Sequence, residues 1–405
     1  MVTNHASRDT LHETAAGFWQ TLPQPIIGLS PMDGVTDAAF RLTVARQGPP
    51  DITFTEFTSV GDVCRGPEHL LSTFTYSEEE RPVVAQLYGK HPDLFYLAAQ
   101  VVCELGFDGL DINMGCPSKN VASSGSGAAL IKTPDLAHAI MRAARQGILD
   151  WANGYTLAQT GLKASRADLI RAMNVKRHGQ PSPPRRLIPL SVKTRLGYDS
   201  VVVEDWIGHL LEEQPAVISV HGRTLQQMYR GEADWTAIER AATIVRDTST
   251  LLLGNGDVQS MDDVVRRVRE SKVHGVLVGR GALGSPWFFR KKDLARQAAR
   301  DGAPVIAGSL DETLSLADRF RVMVEHARLF EGIDRADRFP HIRKHLGWYC
   351  KGFPHAAAMR ARMVRASSSV DVERIVAEHL ASDPSAGAAS AAMSRTALPT
   401  SLSCA

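Results

Sequence analysis

The chain has 405 residues, 44% of them hydrophobic and 22% charged, with a formal net charge of +2. That is enough apolar material for one large domain and a smaller one, while the near-neutral balance excludes nucleic-acid binding by overall charge, so any such surface must be local. The five cysteines are scattered without a CxxC pair or metal-ligand spacing, which argues against a disulfide scaffold or structural zinc and for a reducing, cytoplasmic setting. No apolar run approaches the roughly 20 residues of a spanning helix, and the polar start Met1–Gln20 lacks the apolar region of a secretory signal.

From Pro25 onward, short β-branched runs alternate with amphipathic helical stretches. In chain order the runs are Ile26–Leu29, Ile52–Thr55, Val83–Leu87, Gly109–Ile112, Pro189–Lys193, Ala216–Val220, Leu251–Leu253 and Gly275–Val278. Eight strands, most followed by a helix, predict an α/β fold: a (β/α)8 TIM barrel over residues 25–300. A doubly wound sheet would carry a Gly-rich phosphate turn after its first strand. Here that position reads Ser30-Pro31-Met32-Asp33-Gly34, which cannot serve, and Gly125-Ser126-Gly127 follows a loop.

Residues 1–24 read as an N-terminal extension. Between the helix ending near Gln146 and the strand at Leu187, an insertion of about 35 residues (about 148–185) breaks the barrel rhythm, and this stretch carries Lys163, Arg166, Arg171, Lys176, Arg177, Arg185 and Arg186. Its last part, Gln180–Pro184, reads as a loop. After Leu310 helical spacing takes over, which predicts a separate all-helical domain over 311–380. The Ala- and Ser-rich stretch 381–405 is expected to be disordered.

The chemically suggestive residues fall at the C-terminal ends of the predicted strands, the rim on which barrels build active sites. Gln86, Asn113, Cys116, Lys193, Arg195, His221, Arg223, Asn255, Asp257 and Arg280 all do so, whereas chance would spread them over both rims. Gly254-Asn255-Gly256-Asp257 and Gly279-Arg280-Gly281 end the last two strands, where barrels often take a phosphate on backbone N–H groups and a short helix. Ser285-Pro286-Trp287 reads as the start of that helix. Lys193 and His221, facing the mouth, suit an electron-rich ring carrying developing negative charge, such as the N1–C2=O edge of a reduced flavin. Gln86 could bond the pyrimidine edge of that ring, and Asn113 a substrate ring stacked above it. Cys64, Cys103, Cys350 and Cys404 read as small core residues. Cys116 differs, because it lies at a strand mouth in Asn113-Met114-Gly115-Cys116-Pro117.

The runs Ser30–Asp37, Asn113–Pro117, Val192–Gly197, Val220–Thr224, Asn255–Asp257 and Gly279–Gly281, with Arg343–Tyr349 in the helical part, resemble the tRNA-dihydrouridine synthase family. The match runs in order from residue 25 to 368, interrupted by the insertion. The resemblance implies an FMN enzyme that reduces the C5–C6 bond of particular tRNA uridines, with NADPH (or NADH) as electron donor. Carried over by motif, Pro31 and Met32 contact the flavin, and Gln86, Lys193 and His221 hold its ring. Asn255, Gly256, Asp257, Gly279 and Arg280 hold its ribityl chain and phosphate. Asn113 and Arg195 meet the substrate, and Cys116 is the general acid.

The chemistry is consistent with that assignment. Hydride arriving at C6 of uracil leaves an enolate that must gain a proton at C5, and a thiol with an ordinary pKa of about 8.5 is mostly protonated at neutral pH. A nucleophilic Cys116 is the competing reading. The chain departs from the family at Asp33, where many relatives have a small or apolar residue, and in the insertion, which reads equally as an added RNA surface or as a solvated decoration. In the helical part, Arg335, Arg338, Arg343, Lys344, Lys351, Arg360, Arg362 and Arg365 form a local basic concentration. It is expected to hold tRNA phosphates while a base is extruded, with Arg343 and Lys344 foremost. A monomer without membrane contact is expected. The alternatives are a dihydroorotate dehydrogenase-like flavoenzyme acting on a free pyrimidine, and a non-catalytic tRNA-binding factor that retains FMN.

Overall fold

The computed structural model describes residues 16–382 apart from 303, 334 and 335. Most of the expected extension (1–15) and of the expected tail (383–405), with Cys404, lies outside the described residues, as does Arg335. The strands are β1 (Ile26–Leu29), β2 (Thr53–Phe54), β3 (Thr58–Ser59), β4 (Val83–Tyr88), β5 (Gly109–Met114), β6 (Leu190–Gly197), β7 (Val217–Thr224), β8 (Leu251–Asn255) and β9 (Gly275–Val278). All pairings are parallel, in the order β1-β9-β8-β7-β6-β5-β4-β2, with the short β3 added beside the end of β4. Two backbone bonds close the ring: Leu29 N–H to Ile52 O and Asp51 N–H to Ile27 O, both 3.0 Å. The eight predicted runs are thus the eight staves of a (β/α)8 barrel, and β3 is an addition.

Successive side chains of a strand point to opposite faces. The outward set, including Ile27, Leu29, Ala85, Ile112, Val192, Ile218, Leu252 and Val276, packs under the surrounding helices in one apolar core. The inward set begins apolar: Ile26, Phe54, Val84, Val217, Leu253 and Leu277 form a separate cluster with Trp19, which closes the N-terminal end of the barrel. Trp19 is fully buried and comes from the 3-10 turn Gly17–Thr21. Two residues further along the same faces the character changes. Val84 is followed by Gln86, Val217 by Ser219 and then His221, and Leu253 by Asn255. The interior is therefore greasy below and polar toward the C-terminal rim.

The second core belongs to helices Leu316–Ile333, Arg343–Tyr349, Ala356–Met363 and Ser369–Ser382. Phe320, Met323, Phe330, Leu346, Tyr349, Met363 and Ile375 pack together there with Ala39 and Trp287 of the barrel. The helical part docks on barrel helix Ala38–Gln47, where the Phe40 ring lies 4.9 Å from that of His345 and 5.7 Å from that of His326. Both histidines are fully buried, and burial holds them well below the ordinary imidazole range, so they dock as neutral rings.

The insertion folds as the end of helix Pro134–Ala152, a 3-10 turn Leu157–Thr160 and helix Ala164–His178. Four of its five arginines turn toward the barrel, while Arg171 pairs with Asp168 on its own helix. Arg177 donates to Leu105 O and Phe74 O at 2.9 and 3.0 Å and stacks on Tyr76, while Arg166 donates to Val63 O at 3.0 Å. Arg186 pairs with Asp108 at 2.9 Å, and Arg185 covers the Trp151 ring. Leu105 and Asp108 precede β5, so the ties of Arg177 and Arg186 grip the end of the barrel opposite the polar rim, while Arg166 holds the helix Val60–Arg65 that follows β3. Arg166 and Arg177 thus serve the scaffold, while Lys163, Arg171 and Lys176 stay exposed, where either expected role still applies.

Candidate active site

A chain of bonds crosses the inward face of β4, β5 and β6. Asp111, fully buried, accepts from Gln86 Nε2 at 2.7 Å and from Ser191 Oγ at 2.6 Å. Burial raises its carboxyl to about 6, against the pull of those donors and of the Lys193 charge. Gln86 Oε1 in turn accepts from Asn113 Nδ2 at 2.9 Å. Asn113 Oδ1 accepts from the backbone N–H of Gly115 and of Cys116, at 3.1 and 2.8 Å. The amide therefore acts as a turn-former that sets the direction of the Cys116 side chain. Gly115 lets the turn pack closely, since a Cβ there would come 3.1 Å from the Thr194 carbonyl carbon. Arg195 fixes the turn from the other side. Its Nε donates to Gly115 O at 2.6 Å, and its Nη1 to Thr224 O and Met228 O, both at 3.0 Å.

The Cys116 thiol is 5% exposed. Burial raises its pKa, helped by Asp33 and opposed by the Ser118 N–H and the charges of Arg195 and Lys193. The thiol form is the resting state at neutral pH. Lys193 Nζ donates to Asn255 Oδ1 at 3.2 Å, and Asn255 Nδ2 to Leu277 O at 2.7 Å. Burial and the Arg195 charge push the Lys193 amine down to about 8. Arg223 Nη1 lies 3.3 Å from His221 Nε2. Because a guanidinium only donates, that imidazole nitrogen accepts and the neutral ring carries its hydrogen on Nδ1. Burial and the charges of Arg195, Lys193, Arg223 and Arg280 keep His221 well below the ordinary range.

At the ends of β8 and β9, the Asp257 carboxylate takes Arg223 Nη2 and Ala233 N–H on one oxygen and Arg280 Nη2 on the other, each at 2.7 Å. Burial opposes its ionisation, but those bonds and charges outweigh it and hold the carboxyl below its ordinary value. Asp257 thus aims two arginines. Gly256 has φ +130°, and a Cβ there would lie 2.6 Å from Ala233 Cβ. The helix expected to start at Ser285-Pro286 starts later, as a 3-10 turn Phe288–Lys291 leading into Lys292–Asp301. A shorter 3-10 turn, Arg280–Ala282, follows Gly279 directly and takes the place next to the glycine.

These elements enclose a cavity of about 530 Å³, within the usual range for a bound small molecule. Pro31, Met32, Gln86, Asn113, Cys116, Lys193, Arg195, His221, Asn255, Gly256, Asp257, Gly279 and Arg280 all line it. Arg343 and Lys344 do not. They line an adjoining groove of about 500 Å³ with Trp348, Lys351 and Arg360, and the two spaces share Arg280 and Leu283. Lys344 reaches the barrel rim: a Cβ on Gly34 would lie 3.2 Å from its Nζ, and its charge acts on Asp33 against the burial that raises that carboxyl.

Sequence reasoning missed three residues. Asp111, the hub of the inner network, is a charge inside an apolar strand, and that was the available signal. Tyr229, 61% exposed, lines the mouth with the Arg195 guanidinium 5.9 Å from its ring centroid. Glu56 lies beyond β2, where burial and the nearby Asp37 and Asp33 raise its carboxyl to about 7.

The family profile described as "Dihydrouridine synthase (Dus)" matches residues 28–149 and 169–383, leaving out part of the insertion. Among curated relatives, one from Staphylococcus epidermidis named "Probable tRNA-dihydrouridine synthase" is 30% identical over 366 residues, 89% of this chain and 95% of that protein. "Probable tRNA-dihydrouridine synthase 2" of Bacillus subtilis is 30% identical over 364 residues with the same coverage of both chains. Of solved structures, DHODH in complex with ferulenol from Eimeria tenella aligns with a TM-score of 0.46 at 14% identity, covering 74% of this chain and 94% of that one.

Proposed function

The chain belongs to the dihydrouridine synthase family, and from that premise we propose that it is an FMN-dependent reductase of tRNA uridines working with NADPH in the cytoplasm as a monomer. Among the described residues no helix is long and apolar enough to cross a membrane. The observation that carries the reading is the buried Cys116 thiol on the wall of a largely apolar cavity into which Lys193, Arg195 and Arg280 bring positive charge.

The residues fit a flavin phosphate. Gly279 leaves open the space between Ser30 and Met32, where an added Cβ would sit 3.4 Å from Met32 Sδ and 3.8 Å from Ser30 Cβ. Arg280 is aimed beside it by Asp257. Asn255, Gly256, Asp257, Gly279 and Arg280 would hold the ribityl phosphate, directly or, for Asp257, through the arginines it fixes. Pro31 and Met32 would line the ring, with Gln86, Lys193 and His221 at its polar edge. When bound, FMN supplies a hydride to C6 of uracil.

The remaining work falls to side chains. Lys193 offers a cation where negative charge gathers, in a site sheltered enough for that charge to count. Cys116 delivers its Sγ proton to C5 of the uracil enolate, which leaves a thiolate next to Arg195 and Lys193 to be reprotonated from solvent. Asn113 and Arg195 keep the thiol in line by fixing the turn through Gly115 and Cys116. Tyr229 at the mouth offers a face on which an extruded base can stack. Arg343, Lys344, Lys351 and Arg360 would hold the phosphates that flank it.

The test is direct. Full-length protein should purify with bound flavin and, with NADPH, restore dihydrouridine to tRNA from cells lacking this chain. Protein that no flavin reconstitutes, or that leaves that tRNA unchanged, would overturn the reading.

A further inference from the structure

Outside the cavity, in the ring of helices, Pro134–Ala152 and Val203–Glu212 bring His138, His209 and Glu212 together. One ligand atom from each lies within 4.8 Å of the others. We propose that this trio binds one Zn²⁺ ion, a clip that fastens two barrel helices across the inserted segment. Nothing in the family's chemistry requires it, and the site is independent of the function proposed above.

The orientation of His138 decides the chemistry. Its Nε2 lies 2.8 Å from the carbonyl oxygen of His209. A carbonyl only accepts, so Nε2 carries the hydrogen and Nδ1 of the neutral ring carries the lone pair. That lone pair faces a Glu212 carboxylate oxygen at 3.9 Å. That spacing is too wide for a direct hydrogen bond and leaves room for an ion between the two donors, and an imidazole oriented by a backbone carbonyl through its far nitrogen is the usual form of a metal-binding histidine. His209 Nδ1 lies 3.4 Å from the other Glu212 oxygen.

An ion about 2.0–2.2 Å from each donor separates tetrahedral ligands by roughly 3.3–3.6 Å. One pair already stands at that spacing, and the wider ones close by rotating exposed side chains. His138 is 7% exposed and supplies the fixed point, while the side chains of His209 and Glu212 are 44% and 59% exposed. Two imidazoles and a carboxylate, with a fourth position left for water, form a zinc donor set. Mg²⁺ prefers oxygen ligands alone. The neighbouring cations Arg142 and Arg145 pair with Glu213, not with Glu212. His138 and the His209 carbonyl lie 71 residues apart in sequence, so no spacing motif announces the site.

Full-length protein stripped by a chelator is titrated with ZnCl2 and, separately, MgCl2, by calorimetry and by thermal melting. The expected result is one Zn²⁺ per chain and a zinc-dependent rise in Tm, with neither for Mg²⁺. His209→Ala and Glu212→Gln, both at exposed side chains, should each weaken zinc binding by about tenfold or more and remove the rise in Tm, with dihydrouridine formation unchanged. Substitution with Co²⁺ should give a spectrum without thiolate charge transfer, which separates this site from the cysteines. Absence of saturable zinc binding, a thiolate-type spectrum, or binding that survives both substitutions would overturn the proposal.

Discussion

Cys116→Ala isolates the proton-transfer step. The thiol is raised by burial, so the parent holds its proton throughout the neutral range and should lose rate only above the ordinary thiol range. Removing a positioned general acid costs about 10²–10⁴ in rate, or about 3–5.5 kcal/mol of barrier. The cavity is open at its mouth, so water can reach C5 and the loss should fall in the lower part of that span, about 10²–10³. Loss of one sulfur atom costs about 1 kcal/mol of stability, far short of unfolding a domain, and the Asn113 bonds to backbone N–H groups do not depend on the side chain at 116. The assay is single-turnover formation of dihydrouridine in unmodified tRNA by enzyme reduced beforehand, with flavin content and NADPH oxidation followed in parallel. Cys116→Ser should remain close to the Ala variant, because an alcohol is a far weaker acid. Dihydrouridine formed by Cys116→Ala within about threefold of the parent rate would refute the general-acid assignment.

Lys193 titrates near pH 8 without a bound ring, and an anionic flavin stabilises its charged form, so binding takes up a proton. FMN affinity of the stripped protein should therefore be highest below that pH and weaken as pH rises through it. Lys193→Arg should flatten the dependence in a fluorescence titration, and a flat profile in the parent would count against the contact. Arg343→Gln with Lys344→Gln should weaken tRNA binding and lower the slope of log affinity against log salt by about 1.5; an unchanged slope removes this groove from the RNA surface. Arg177→Leu should cost about 1–3 kcal/mol in denaturant unfolding, by removing the bonds to the Leu105 and Phe74 carbonyls, the first of which keeps the Tyr76 hydroxyl, and leave tRNA affinity as it was. The reverse outcome would return the insertion to the RNA-binding face.

The barrel was legible because strand periodicity is local: each β-branched run announces its own stave, and the polar residues two steps past an apolar one mark the rim. Cys116 was legible for the same reason, since its turn is written in five consecutive residues. The jobs of Asn113, Arg195 and Asp257 were less so. Each was expected to face a ligand, and each bonds backbone or neighbouring side chains that other strands deliver. The insertion's arginines read as a surface because their acceptors are carbonyl oxygens some 70–100 positions distant in sequence, and carbonyl groups carry no sequence signature. The helix starts three residues past the expected Ser285, at Phe288, with the Arg280–Ala282 turn preceding it.

The approach of Lys344 to Gly34 and Asp33 has a consequence for how such enzymes can be recombined. A residue of the helical part, standing in the adjoining groove, sets its charge against Asp33 on the wall of the barrel's chemical chamber. The two parts are therefore not interchangeable modules. A chimera that imports another relative's helical part, to redirect which uridine is presented, must bring the matching Ser30–Asp37 turn with it. Without that turn, the graft would alter the chamber's charge along with its choice of RNA.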